Sequence, residues 1–266
     1  MLQPEFSHQA VKAFAAALIV ALPFAARAEQ PRCDAPLNMV RFAKPLMHLS
    51  HKLISGKPVT IVAMGSSSTQ GVGASSPDAT YPSRLAIELK RQFPGHDITV
   101  INRGIGGEEV GDMLKRFDSQ IVAAKPDLVL WQLGTNSVLH GHKIDGNGAM
   151  IRRGLEKIRA TGADIVLIDP QYAPKVIAKP DTPRMVELLA TTAKREDVDL
   201  FPRFDVMKRW HDTDRMDFES FVAPDGLHMN DWSYACLAHA LGEAIAEAAQ
   251  RPVMSATLGP HLMHAE

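Results

Sequence analysis

From residue 57 onward, short runs of β-branched and other apolar residues alternate with longer stretches of helical period, the pattern of repeated β–α units around a parallel sheet. Five strands are predicted, at 59–64, 98–102, 128–133, 165–168 and 198–201. Each is almost continuously apolar rather than alternating, as a strand must be when helices cover both faces of its sheet. The helices between them fall at 81–93, 108–125, 149–161 and 183–196, and a last one at 231–250. Pro183 suits a first helical position and Asp231 an N-cap. The expected fold class is α/β, a three-layer α/β/α sandwich with a central five-stranded parallel sheet, in one domain over residues 57–251. Two long segments, 137–148 and 171–182, leave the carboxyl edge of the strands, where open parallel sheets bind their ligands. Residues 252–266 have no periodicity and are expected to form a tail.

The start of the chain follows a different logic. Lys12 precedes an almost purely apolar run to Ala26, and Ala26-Arg27-Ala28 follows the A-x-A pattern of a cleavage site. The run is shorter than the roughly 20 residues that span a bilayer as a helix, so residues 1–28 read as a cleaved signal peptide and 29–56 as an N-terminal extension. The protein is then expected to be exported, periplasmic or secreted, with no stable membrane insertion after cleavage. Export changes the reading of Cys33 and Cys236, which become a candidate disulfide in an oxidising compartment.

Composition narrows the chemistry by exclusion. With 45% hydrophobic and 22% charged residues the chain can build a substantial core. Lys+Arg number 29 against 30 Asp+Glu, a formal charge of -1 that provides no basic field for nucleic acid or an anionic bilayer. The loop Gly65-Ser66-Ser67-Ser68-Thr69-Gln70-Gly71 lacks the Gly-Lys-Ser/Thr ending of a P-loop, and Gly104 and Gly106 are followed by Glu109 where a dinucleotide fingerprint wants glycine. Neither G-x-S-x-G nor H-E-x-x-H occurs. His140 and His142 form an H-x-H pair without a third ligand nearby and read as surface-loop residues. No metal or organic cofactor is expected. Trp131, Trp210 and Trp232 read as packing residues.

Serine, aspartate and histidine at the strand ends have a clear use together. Acyl transfer needs a hydroxyl nucleophile, a base, a carboxylate that orients the base, and donors for the developing oxyanion. Asp225 and His228 lie three apart, so one turn can set the carboxylate against Nδ1 while Nε2 faces a serine. A glycine-rich loop at a helix N-terminus supplies N–H groups that favour an anion.

In combination these segments make the chain resemble the SGNH subgroup of the GDSL-type serine esterases, over roughly residues 57 to 250. The resemblance implies an SGNH hydrolase, flavodoxin-like architecture and assigns roles. Ser67, with Gly65, Thr69 and Gly71 in register around it, matches the nucleophile of G-D-S-x-T-x-G. Gly104 matches the glycine whose N–H joins the oxyanion hole, and Asn136 in Gly-Thr-Asn the asparagine that adds its amide beside the N–H of Ser67. Asp225 and His228 match the D-x-x-H pair. Two positions depart from the pattern: Ser66 stands where aspartate usually precedes the nucleophile, and Ser137 where aspartate commonly follows the asparagine. The implied activity is an exported serine hydrolase cleaving carboxylic esters through an acyl-enzyme. Its first-choice substrates are small-molecule or glycan esters, O-acetyl groups on envelope or environmental carbohydrate above all. A lipolytic esterase or thioesterase acting on longer acyl chains and a non-catalytic glycan-binding module are the alternatives.

Overall fold

The structure is a computed structural model that describes Cys33 and residues 35–251. The signal-peptide and tail readings lie outside the described residues. Five strands, β1 (Val59–Gly65), β2 (Ile98–Gly104), β3 (Leu128–Gln132), β4 (Asp164–Ile168) and β5 (Asp199–Phe201), form one sheet in the order β2-β1-β3-β4-β5. Every neighbouring pair is parallel, with Val59 opposite Ile98, Ile61 opposite Leu128, Leu128 opposite Asp164 and Val166 opposite Asp199. The chain therefore leaves β1 for one side of the sheet and later returns to its other side at β3. In an open α/β sheet the crevice at the carboxyl ends of such a strand pair is where ligands bind.

The longer helices are α1 (Met47–Ile54), α2 (Tyr81–Gln92), α3 (Val110–Lys115), α4 (Asn147–Arg159), α5 (Thr182–Arg195), α6 (Arg203–Asp212) and α7 (Asp231–Gln250). Because successive strand residues face opposite ways, the sheet feeds two separate cores. Ile61, Ala63, Leu128, Leu130, Val166 and Ile168 pack with α1, α2, α6 and α7. Val62, Met64, Val129, Trp131, Ile165 and Leu167 pack with α3, α4 and α5. These are the three layers that the continuous apolar strands predict.

Three carboxylates at the amino edge of the sheet tie the preceding segment to it. Asp127 accepts from Thr60 N–H at 2.8 Å and faces His48 and Lys52, while Asp164 accepts from Leu49 N–H at 2.9 Å and Asp199 from Ala43 N–H at 2.6 Å. Val40, Phe42, Leu46 and Leu49 are buried as a result, so residues 40–49 close the bottom of the core. Cys33 and Cys236 form the expected disulfide, 203 residues apart in sequence, with Cys236 buried in α7. Among the described residues no helix is long and apolar enough to cross a membrane.

The differences from expectation are local. The helix expected at 108–125 breaks into α3, a single turn Phe117–Gln120 and a 3-10 turn Val122–Ala124. The break falls at Arg116, whose guanidinium turns inward to Glu108 and to the carbonyl of Arg103 at 2.8 Å instead of lying along a helix face. Helix α6 was not anticipated. The N-cap of α7 is Asn230, whose side chain accepts from Ser233 N–H, and Asp231 is used instead by Ser75 N–H at 2.8 Å. Trp131 and Trp210 are core residues, and Trp232 packs edge-on against Trp210 with ring centroids 5.0 Å apart.

Candidate active site

The first strand delivers its chain to the carboxyl edge at Gly65. Ser66 stays extended, and Ser67–Gln70 then forms one helical turn stopped by Gly71 in the left-handed region. Buried Gln132, at the end of β3, pins that turn: its Oε1 accepts from Ser66 N–H at 2.9 Å and Ser66 Oγ–H at 3.1 Å. Ser68 and Thr69 are buried, while Ser67 is only partly so. The expected nucleophile is thus the hydroxyl of this turn that faces outward.

Across the edge, Asp225 closes a tight turn on its own backbone. Its Oδ1 accepts from Leu227 N–H and His228 N–H, both at 2.9 Å, and its Oδ2 accepts from His228 Nδ1–H. A carboxylate can only accept, which places the imidazole proton on Nδ1 and leaves Nε2 with its lone pair. That nitrogen accepts from Ser67 Oγ–H at 2.8 Å. Burial pushes the Asp225 carboxyl up, but the hydrogen bonds from the His228 side chain and backbone and from Leu227 N–H outweigh it and hold the group below the usual carboxylate range. Ser67, His228 and Asp225 therefore form a continuous hydrogen-bonded chain, with His228 9% exposed.

Asn136 lies in the short helix Thr135–Leu139 that follows β3. One of its two amide hydrogens is donated to Glu108 O at 2.8 Å, which fixes the plane of the amide and leaves the second. Gly104 departs from expectation. Its N–H donates to Asn102 Oδ1 at 2.9 Å and is already spent. The reason for glycine here is steric, since an added Cβ would fall 2.0 Å from Gln70 N and 2.5 Å from Thr69 C. Farther along, a Cβ on Gly106 would lie 3.8 Å from that of Ser67, and Gly107, at φ 80°, has an N–H without a hydrogen-bond partner among the described residues.

The support beneath the site was not foreseen. Arg203 is fully buried and gives Nε to Asp169 O at 2.9 Å, Nη1 to Ser68 Oγ at 2.8 Å and Nη2 to Gln171 Oε1 at 3.0 Å. Gln171 Oε1 also accepts from Thr135 Oγ1–H at 2.9 Å, and its Nε2 donates to Leu227 O at 3.3 Å. The Arg203–Gln171 pair thereby touches the neighbours of Ser67, Asn136 and His228 at once. Burial raises the nearby Asp169 carboxyl to about 7 despite the hydrogen bond from Phe204 N–H and the charge of Arg203. A second unforeseen grouping adds a partner to the H-x-H pair: His140 and His142 are exposed, as surface-loop residues are, and both meet Glu109, from the far end of the loop after β2.

The family model described as the non-GDSL lipase-like family matches residues 32–251. The chain belongs to that family. Ser66, where a GDSL motif carries aspartate, agrees with the description. This non-GDSL lipase-like protein is 28% identical over 127 residues to an arylesterase of Vibrio mimicus, covering 48% of the chain and 62% of that relative. It spans about three fifths of the length of the curated relatives it matches. Among solved structures, it is similar to a two-domain esterase active on acetylated mannans, co-crystallised with mannopentaose, with a TM-score of 0.69 at 19% identity over 79% of this chain and 56% of that one. It is also similar to an acetylxylan esterase from Geobacillus stearothermophilus, with a TM-score of 0.60 at 19% identity over 70% of this chain and 94% of that one. At such identities the likeness establishes the shared SGNH hydrolase fold.

Proposed function

We propose that this non-GDSL lipase-like protein hydrolyses carboxylic esters through a Ser67–His228–Asp225 triad. The observation that carries the reading is the hydrogen-bonded relay from Asp225 through His228 to the outward-facing Ser67 hydroxyl, with the histidine tautomer already set for proton acceptance. In the first half-reaction His228 Nε2 takes the Ser67 proton as Oγ attacks the ester carbonyl. Collapse of the tetrahedral intermediate expels the alcohol, which receives that proton, and leaves an acyl-serine. In the second half-reaction water gives a proton to His228, attacks the acyl group, and releases the acid as Ser67 recovers its proton. Asp225, ionised over the neutral range, stabilises the imidazolium formed in each half.

For the oxyanion we assign the Ser67 N–H, the second amide hydrogen of Asn136, and the Gly107 N–H in place of that of Gly104. Asn136 bonds the carbonyl of Glu108, the residue next to Gly107, so the amide and this N–H belong to one corner of the site. None of these steps calls for a metal or a cofactor.

Small acyl groups on carbohydrate are the substrate we favour, in an exported enzyme. The two solved relatives described above are named for action on acetylated mannan and on acetylxylan, and the signal-like start and the disulfide suit a protein that meets such material outside the cytoplasm. Hydrolysis of p-nitrophenyl esters from acetyl to palmitoyl, with Ser67→Ala as control, tests the proposal. Activity lost in Ser67→Ala and confined to acetyl and propionyl esters is expected. Rates that rise with chain length would replace the sugar-acetyl reading by a lipolytic one, and equal activity in Ser67→Ala would overturn the triad.

A further inference from the structure

We propose that Glu109, His140 and His142 form a binding site for one Zn²⁺-like transition-metal ion on the shoulder of the active-site edge. Glu109 Oε1 lies 2.8 Å from His140 Nδ1 and 2.7 Å from His142 Nδ1, and the three ligand atoms all fall within 4.8 Å of one another. Local geometry makes the convergence. His140 ends the helix Thr135–Leu139, and Gly141, at φ 68°, reverses the chain so that the next-but-one side chain returns to the same carboxylate. Glu109 comes from a different element, as the N-cap of α3.

Two imidazole nitrogens and one carboxylate oxygen suit a borderline ion such as Zn²⁺, with a fourth, water-filled position, rather than the all-oxygen sets of Mg²⁺ or Ca²⁺. Donor atoms around a tetrahedral zinc ion at about 2.1 Å stand about 3.4 Å apart. Entry of the ion therefore needs each contact to open by roughly 0.6 to 0.7 Å. Side-chain rotation can supply this, because the imidazoles are 47% and 63% exposed. Ser137 Oγ–H donates to the other carboxylate oxygen, Glu109 Oε2, at 2.9 Å. It occupies the place of the outer partner that orients a ligating carboxylate.

The place of the site links it to Asn136. Glu109 follows Glu108, whose carbonyl holds the Asn136 amide, and Ser137 follows Asn136. A bound ion would clamp these two loops together. The inference does not depend on ester hydrolysis, and its test reads binding alone.

Calorimetric titration of ZnCl₂ into the chelator-treated full-length protein at pH 7.5 decides the matter. One ion per chain is expected, with affinity reduced at least tenfold in the double variant His140→Ala/His142→Ala and about tenfold in Ser137→Ala. The histidines are exposed, so the thermal melt of the double variant should match the native protein in the absence of metal. No binding by the native protein, or binding of unchanged affinity in the double variant, would overturn the site.

Discussion

Arg203 Nη1 donates to Ser68 Oγ at 2.8 Å, so a guanidinium without solvent exposure is anchored one residue beyond the proposed nucleophile. Its second arm reaches Gln171, which in turn holds Thr135 and Leu227. Three loops that arrive from β1, β3 and the segment before α7 therefore share one rigid support. We assign Arg203 a positioning role.

Arg203→Met should cost about 3 to 5 kcal/mol, because the buried partners of the guanidinium lose their donor and Asp169 its positive neighbour. Urea denaturation measures that loss. If the arginine also aligns the loops, kcat should fall at least tenfold with KM little changed, and Arg203→Lys should recover charge without the forked geometry and land between the two. Native kcat in a destabilised but folded Arg203→Met protein would confine the residue to a structural role.

Asp169 makes stability depend on pH in a defined direction. Burial raises its carboxyl from near 4 in the unfolded chain to about 7 in the folded one, so between these values the folded state holds the extra proton. The contribution is complete below the unfolded value and is lost as pH rises through about 7, with a size on the order of a few kcal/mol. The native protein should gain stability from pH 8 to pH 5 through this group. Asp169→Asn keeps an oxygen for Phe204 N–H and should flatten the difference when urea midpoints are compared at the two pH values.

The sheet and the last helix were legible because their signal is extended. Val59–Gly65 and Leu128–Gln132 are almost continuous apolar runs, broken only by the partly buried Thr60 and the terminal Gln132, and such runs in an α/β chain admit few alternatives. Ser67, Asp225 and His228 were singled out by the resemblance of their segments to the G-D-S-x-T-x-G and D-x-x-H motifs, since D-x-x-H spacing or a serine run alone is too common to do so, and the structure brings the three into contact. The elements that sequence reading lost are those without a period of their own. Four or five residues, as in Ser67–Gln70 and Thr135–Leu139, cannot repeat at 3.6. In α6 the inward positions Val206, Met207 and Trp210 begin from a buried Arg203, and a charged residue at a core position reads as surface. Glu109 could not be joined to His140 and His142 from the sequence, because the contact crosses some thirty residues of chain.

The disulfide holds the start of the described chain to the middle of the core, since Cys236 is buried in α7. Closing a loop of 203 residues is worth about 5 kcal/mol in the chain-entropy account. Cys33→Ser should lower the unfolding free energy measured in urea by about 2 to 5 kcal/mol, and added reductant should lower the native protein to the same level while leaving the variant unmoved. Neither cysteine touches Ser67, Asn136 or His228, so kcat under native conditions should not change.

Asn136 and Gly104 were both read from the sequence as oxyanion donors, and the geometry separates them by how their loss should be felt. Asn136→Ala removes one hydrogen bond to Glu108 O, about 1 kcal/mol of stability, but takes away a donor that a developing oxyanion would use. Its kcat should fall about 100- to 1,000-fold with the fold intact, and a loss below tenfold would remove the residue from the mechanism. Gly104→Ala acts through space. Its methyl would collide with backbone atoms of Thr69 and Gln70, which no side-chain rotation relieves, so β2 and the Ser67 turn must part. A destabilisation of about 1 to 3 kcal/mol is expected, accompanied by loss of activity because Ser67 shifts against His228. Normal stability and normal kcat in Gly104→Ala would overturn this steric account, and thermal melts run beside the ester assay check both.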